Sequence, residues 1–425
     1  MFRRFHEFTP DDLRPHVEKA NTKEISFKGQ ESGLKIATAG SQDVGRSETI
    51  QAFWGSEQAF WENSEEHSAG IRQAISGADG SEDIRESTAN GLNSYYREWS
   101  GAVRGQSDYI PVFLPWFLDP LYRYMGDEKL SFTQEWLEYG DLYSLSETQL
   151  AWAYRKNREM AGTLGLDFGE PCWQFKQEYP SNSSEAFLSS GDETFISTLA
   201  VAQSRQARAS KYGPRVLGVD PARGGGDKTA LVDRQGRRLG LEVCELIDEP
   251  DLMVLAGRIV NIQREKNFDK IILDVTGLGA GLYDRLRELL GDRVVGVNFS
   301  SRPSHPGKYA NKRAEIWAEM RDWFTQTPND VQMVDRDDLA MDILAPIWGP
   351  GATVFMSNGA VRIEPKEKIK ERLGQSPDLG DAAALTFGYP MQMEARDRSR
   401  RKPEQIYDRP YNPTGLETGG LRHDF

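Results

Sequence analysis

The chain has 425 residues, enough for two or three domains at roughly 100–200 residues each. Charged residues at 28% and hydrophobic ones at 38% describe ordinary globular protein, and a formal net charge of −13 excludes a surface that coats nucleic acid broadly, while leaving room for a local basic groove or an acidic metal site. The two cysteines, Cys172 and Cys244, have neither metal-ligand spacing nor a disulfide framework, which fits a reducing compartment; MFRRFHEFTPDD is charged throughout and unlike a secretory signal, and IPVFLPWF, interrupted by two prolines, falls short of the roughly 18 apolar residues of a membrane span.

From Lys23 to about Trp116, short β-like runs (ISFK, LKIATAG, TIQAFWGSE, DIRESTANG) alternate with helical stretches such as HSAGIRQAI, an α/β pattern. SFTQEWLEYGDLY and SETQLAWAYRKNREMAG then carry apolar residues at helical spacing with a serine near the N-cap. QEYPSNSSEAFLSSGD is rich in turn formers and ISTLAVAQSRQARASKYG reads as a polar helix; together they suggest a linker ending near Gly213. A second α/β unit follows from about Pro214 to Pro390. It begins with a hairpin reversing at Gln235-Gly236, continues through KIILDV, GAGLYDRLRELLG, VVGVNF, NKRAEIWAEMRDWF and DRDDLAMDI, and ends with a short hairpin and the helix PDLGDAAALTF. The tail beyond Met391 has too little apolar content to form a core and is expected to be disordered and dispensable for folding.

Three acids in the second unit invite comparison. Asp220 ends the apolar run VLGVD, Asp274 ends KIILD, and Asp381 lies on a helix whose alanines allow close packing on a sheet. Residues at the carboxyl ends of neighbouring parallel strands face one crevice, so the three can converge, and converging carboxylates need a cation. Hard oxygen ligands suit Mg²⁺ or Mn²⁺, and a pair of such ions about 4 Å apart could activate water for phosphodiester hydrolysis. The plainer reading of each is a turn or helix cap. Asp378 reads as a helix start in Ser376-Pro377-Asp378, and Asp227 as a loop residue or a partner of the acids. Gly224-Gly225-Gly226 could cradle phosphate but lacks the following Lys-Ser/Thr of a P-loop. The basic run KEKIKER (366–372) could hold DNA phosphates or be a solvated helix face.

The segments LGVDPARGGGDKTALV, IILDVTGLGAGLYDRL, YANKRAEIWAEMRDW and SPDLGDAAALTFGYP, taken together, resemble the nuclease domain of the large terminase subunit of tailed bacteriophages, a ribonuclease H-like fold. Upstream, GRSETIQAFWGSEQAFW, ESTANGLNSYYREW and DYIPVFLPWF are similar to the later part of that family's packaging ATPase, so the resemblance runs from about residue 23 to 390. It implies that Asp220, Asp274 and Asp381 coordinate two Mg²⁺ or Mn²⁺ ions and cut concatemeric double-stranded DNA during genome packaging. It further implies that Glu57 polarises the water attacking the γ-phosphate of ATP, and that Ser87-Thr88-Ala89 couples hydrolysis to movement. Ser56 stands where a magnesium-binding Asp is usual, and Arg46 is a γ-phosphate or DNA contact or a plain surface arginine.

No G-x-x-x-x-G-K-[ST] occurs in the sequence. Without that phosphate cradle the chain is expected to lack ATPase activity alone and to use ATP only if the missing part is supplied. The expected organisation is α/β throughout: an incomplete P-loop-type ATPase domain (1–165), a linker (166–213), a ribonuclease H-like nuclease domain (214–390) and a disordered tail (391–425). The implied partners are DNA, the portal protein and the small terminase subunit, with an oligomer on the portal, no membrane, and the cytoplasm of the bacterial host as location. A non-catalytic remnant that binds DNA, portal or small subunit, and another ribonuclease H-like nuclease, remain the alternatives.

Overall fold

The computed structural model describes residues 2–29, 32–39, 49–165, 169–187, 194–222, 228–277, 279–326, 330–349 and 351–391. Arg46, the glycine run with Asp227, and the tail beyond Met391 lie outside the described residues.

The N-terminal part opens with α1 (Phe2–Phe8) and an antiparallel sheet of β1 (Val17–Ala20), β2 (Glu24–Phe27) and β3 (Ser32–Lys35). β4 (Ala52–Gly55) and β5 (Glu82–Arg85) pair in parallel across α2 (Ser64–Ala74), and α3 (Ser94–Val103) follows. The next helices are α4 (Gln134–Leu142) and α5 (Glu147–Leu164), which starts at Ser146 with a reciprocal capping box to Gln149 as the serine's position suggested. Residues read as a linker contribute α6 (Trp173–Glu178), α7 (Ser183–Ala186) and α8 (Thr198–Gln206), and place Phe175, Phe195, Ile196 and Val201 in apolar clusters.

The second unit is built on a six-stranded sheet. Its strands are β6 (Arg215–Asp220), β7 (Thr229–Gln235), β8 (Arg238–Ile247), β9 (Lys270–Asp274), β10 (Val294–Val297) and β11 (Gln332–Met333), in the order β10-β9-β6-β7-β8-β11. β6, β7 and β8 form an antiparallel meander whose second reversal uses Gly236 at φ 57°, while β9 joins β6 and β10 joins β9 in parallel. Meander first and parallel strands on its open edge give a ribonuclease H-like α/β sheet. A small hairpin, β12 (Val354–Phe355) with β13 (Val361–Arg362), stands apart.

Side chains alternate across this sheet, as the two-residue strand period requires. Leu217, Val219, Ile271 and Leu273 pack under α9 (Leu252–Lys266) and α10 (Gly279–Leu290). Val216 and Ile272 face the other layer, made of α8, α11 (Lys312–Thr325), α12 (Asp337–Ile343) and α14 (Asp378–Leu385), with α13 (Lys366–Leu373) leading into α14. The same parity puts Asp220 and Asp274 on the α14 side. Among the described residues no helix is long and apolar enough to cross a membrane.

Candidate active site

The pairing Val219↔Leu273 sets Asp220 and Asp274 side by side at the carboxyl ends of two parallel strands. α14 reaches them because β6 carries Gly218 beneath it: a Cβ there would stand 1.9 Å from the Ala382 carbonyl oxygen. The alanines of α14 and that glycine let helix and strand touch backbone to backbone, which brings the fully buried Asp381 up to the two strand ends.

The cation that these acids need is present in the chain. Lys366 Nζ, at the first turn of α13, lies 2.8 Å from Asp220 Oδ2, 3.2 Å from Asp378 Oδ1 and 3.4 Å from Asp381 Oδ2. Asp274 Oδ1 accepts from Thr276 N at 3.0 Å and Thr276 Oγ1 at 2.7 Å, so one of its oxygens does serve the strand-end turn. Asp381 Oδ1 accepts from Arg313 Nε at 3.0 Å and Trp317 Nε1 at 2.8 Å, donors four residues apart on one face of α11. Asp381 Oδ2 is buried and accepts no hydrogen bond among the described residues.

The electrostatics follow from that packing. Burial, with Asp381 and Asp378 nearby, pushes Asp220 up to about 7 against the pull of Lys366, and burial also raises Asp274. Burial alone would raise Asp381, but Arg313, Lys366 and the Trp317 N–H hold it below the usual carboxylate range. Burial works against the Lys366 ammonium, yet the acids around it raise its pKa well above the ordinary lysine value. Asp220, Asp274, Asp378 and Asp381 outnumber the two cations Lys366 and Arg313, so an excess of negative charge remains for a hard divalent ion. The oxygen donors and the buried Asp381 Oδ2 fit such an ion. Among the described residues, however, no group of three or more His, Cys, Asp or Glu side chains is gathered tightly enough to hold one. Lys366 stands among three of the carboxylates, and a divalent ion held by them would have to take the place of its ammonium.

That insertion corrects one expectation. Converging acids were expected to need a metal cation; with Lys366 as counter-ion, replacing one of them by Asn removes an ion-pair partner rather than relieving repulsion. Asp378 does open α14, as its sequence context suggests, but it also reaches Lys366, and the 366–372 run, read as phosphate contacts or a solvated helix face, supplies that counter-ion. Arg313 and Trp317 went unnoticed, although their spacing in NKRAEIW was a readable helix-face signal.

Glu315 shows how the loop before α11 is held. Its buried carboxylate accepts from Ser304 N and His305 N, both at 3.0 Å, and from Lys312 Nζ at 2.7 Å. Burial alone would raise it, but these donors bring it down from 4.5 to about 2. A depressed carboxylate stabilises the fold fully above its unfolded pKa and loses that contribution as pH falls toward the folded one. Glu315→Gln is therefore expected to cost on the order of 2 kcal/mol at pH 7, with the gap from wild type narrowing below about pH 4.5. Urea titrations at pH 7 and pH 4 check this, and a gap that widens on acidification would refute it.

In the N-terminal part, Glu57 follows β4 and Ser87 follows β5, so the parallel pair brings these two expected residues together: Ser87 Oγ donates to Glu57 Oε2 at 3.4 Å and accepts from Ala59 N at 3.1 Å. Glu57 is exposed and held at φ 55°, a left-handed conformation that costs a non-glycine residue about 1 kcal/mol or more. Thr88 is half-buried and Ser56 exposed.

Fold and site together describe a ribonuclease H-like unit with clustered acids at the ends of its central strands. No family model matches the sequence. Among solved structures, the chain is similar to the nuclease domain of the large terminase subunit gp2 of bacterial virus Sf6, at 19% identity over 46% of this chain and 99% of that one, with a TM-score of 0.40; a mutant of that domain has been solved with manganese. It is similar to the HK97 bacteriophage large terminase at 13% identity over 88% of this chain and 77% of that one, TM-score 0.34. A large terminase from a thermophilic bacteriophage matches at 14% identity over 90% and 80%, TM-score 0.28. What the site can do follows from its own geometry.

Proposed function

We propose that the chain is a large-terminase-type endonuclease that cleaves double-stranded DNA with two Mg²⁺ or Mn²⁺ ions. The observation that carries this reading is the gathering of Asp220, Asp378 and Asp381 on one lysine ammonium, beside Asp274, with Asp381 Oδ2 buried and, among the described residues, without a hydrogen bond. Asp220, Asp274 and Asp381 would hold the ions, with Asp378 next to them. Such ions, when bound, supply Lewis-acid stabilisation of phosphodiester oxygens and lower the pKa of water. Arg313 and Trp317 fix the Asp381 carboxylate so that Oδ2 faces the site. Lys366, once released from the acids, is placed to pair with a DNA phosphate.

In this reading residues 1–165 are packaging-ATPase-like, with Glu57 and Ser87-Thr88 acting on ATP only together with a phosphate cradle that these residues do not contain, 166–213 connect the two units, and 214–390 cut DNA. The partners would be DNA, the portal protein and the small terminase subunit in the bacterial cytoplasm. One observation favours the second reading, a DNA- or portal-binding protein without catalysis: Lys366 already satisfies three of the acids. Incubation of the full chain with supercoiled plasmid separates the two. Nicked and linear products with Mn²⁺ or Mg²⁺ and none with EDTA are expected; a pure, folded chain that leaves the plasmid supercoiled with every divalent ion supports the second.

A further inference from the structure

α14 carries Asp378 and Asp381 in its first turn, yet it starts without a cap of its own. Pro377 occupies the N-cap and offers no side-chain acceptor, so the first amides of the helix need a partner from elsewhere. Asp342 of α12 supplies it: its Oδ2 accepts from Leu379 N at 2.8 Å, and α14 lies so close that a Cβ on Gly380 would stand 2.8 Å from the Asp342 carbonyl oxygen. Asp342 is itself 1% exposed, and its Oδ1 is paired at 2.5 Å with Arg104 Nη2, whose side chain is 4% exposed. Arg104 belongs to the N-terminal part, immediately after α3.

α3 grips the same region along its length. Tyr96 packs in one apolar cluster with Ile369 and Leu373 of α13 and Met341 of α12, Trp99 and Val103 pack against it, and the Gln375 amide donates to Ser100 Oγ. The helix that carries Lys366 and the helix that carries Asp381 are thus both braced by a helix more than a hundred residues earlier in the chain. Burial pushes Asp342 up to about 6, aided by the nearby Asp378, and Arg104 is the charge that opposes this.

We propose that Arg104 is a positioning residue of the acid site: by pairing with Asp342 it holds the carboxylate that caps α14, and so fixes where Asp378 and Asp381 stand. The metal-binding part of this inference rests on the nuclease reading; the capping part does not. In metal-free full-length protein, Arg104→Met should speed hydrogen exchange of the Leu379, Gly380 and Asp381 amides about tenfold, a cap's worth of protection, while amides of β7 and β8 exchange as before. The same variant should need about tenfold more free Mn²⁺ for half-saturation, read from the electron paramagnetic resonance of free Mn²⁺ without DNA. Adding Asp342→Asn to Arg104→Met should bring both readouts to within about threefold of wild type, because Asn still accepts from Leu379 N–H and leaves no buried charge unpaired. A merely structural pair would speed exchange in β7 and β8 as much as in α14.

Unchanged α14 exchange in Arg104→Met, or a double variant no better than the single one, overturns the proposal. If Arg104→Met alone does not fold, the double variant decides: it must fold and protect the α14 amides as wild type does, and faster exchange there overturns the proposal. If the amides respond as expected but wild type binds no Mn²⁺, the cap stands and the nuclease reading falls.

Discussion

Asp381→Asn is expected to lower Mn²⁺-dependent plasmid nicking by about a thousandfold or more while leaving the chain folded. The Asn side chain can keep its oxygen toward Arg313 Nε and Trp317 Nε1, so the packing of α14 on α11 survives. Its amide then replaces Oδ2, which accepts no hydrogen bond among the described residues and lies 3.4 Å from Lys366 Nζ, so in the nuclease reading the loss falls on ion binding. The amide N–H₂ also comes to lie against the Lys366 ammonium, which stands 3.4 Å from Oδ2, so a stability loss of about 1–2 kcal/mol is expected rather than the gain that relieved repulsion would give. Asp220→Asn and Asp274→Asn should lose activity to a similar extent, and a double variant little more, because residues that act as a unit do not add. Circular dichroism and urea melts beside the nicking assay separate the two effects. An Asp381→Asn protein that cuts normally would return this residue to a structural role.

Gly218→Ala should be the most damaging small change in the sheet, costing more than about 3 kcal/mol and abolishing nicking. Overpacking a core by one methyl is often absorbed by a neighbouring side chain, but here the atom in the way is backbone. The new Cβ would stand 1.9 Å from the Ala382 carbonyl oxygen and 3.0 Å from its carbon, and the helix that must retreat holds Asp378 and Asp381. Gly257 in α9 is the control, since among the described residues nothing lies within 4 Å of a Cβ placed there and alanine should stabilise that helix by about 0.5–1 kcal/mol. Chemical denaturation of both variants gives the comparison, and a Gly218→Ala chain within about 1 kcal/mol of wild type would mean that helix and strand are not in backbone contact.

What the sequence made legible is what local pattern encodes. VLGVD and KIILD read as buried strands ending in acids, the alanines after Asp381 read as a close-packing helix, and Glu57 and Ser87 each follow a short strand; the fold brings each set together. The rest depends on contacts between distant parts of the chain. Lys366 meets Asp220 across 146 positions and Arg104 meets Asp342 across 238, separations at which no periodicity survives. Each such residue looks ordinary in its own neighbourhood: Lys366 is one lysine in a basic helix, Arg104 an arginine after a helix end. Asp378 opens α14 as its sequence context suggests, but its second role beside Lys366 stays hidden, because a helix-start aspartate and an acid of a charged cluster have the same local signature.

The lysine among the acids bears on how the protein is made. A site of buried carboxylates that depended on ions to neutralise it would leave a newly synthesised chain waiting for metal before its sheet and last helix could close. Here the counter-charge is part of the polypeptide, arrives with α13, and has no concentration to be diluted. Folding and metal acquisition become separate events, so the chain should reach its native fold in chelator and in metal-poor medium alike. Metal supply would then govern how many finished molecules are armed, and leave the number that mature untouched.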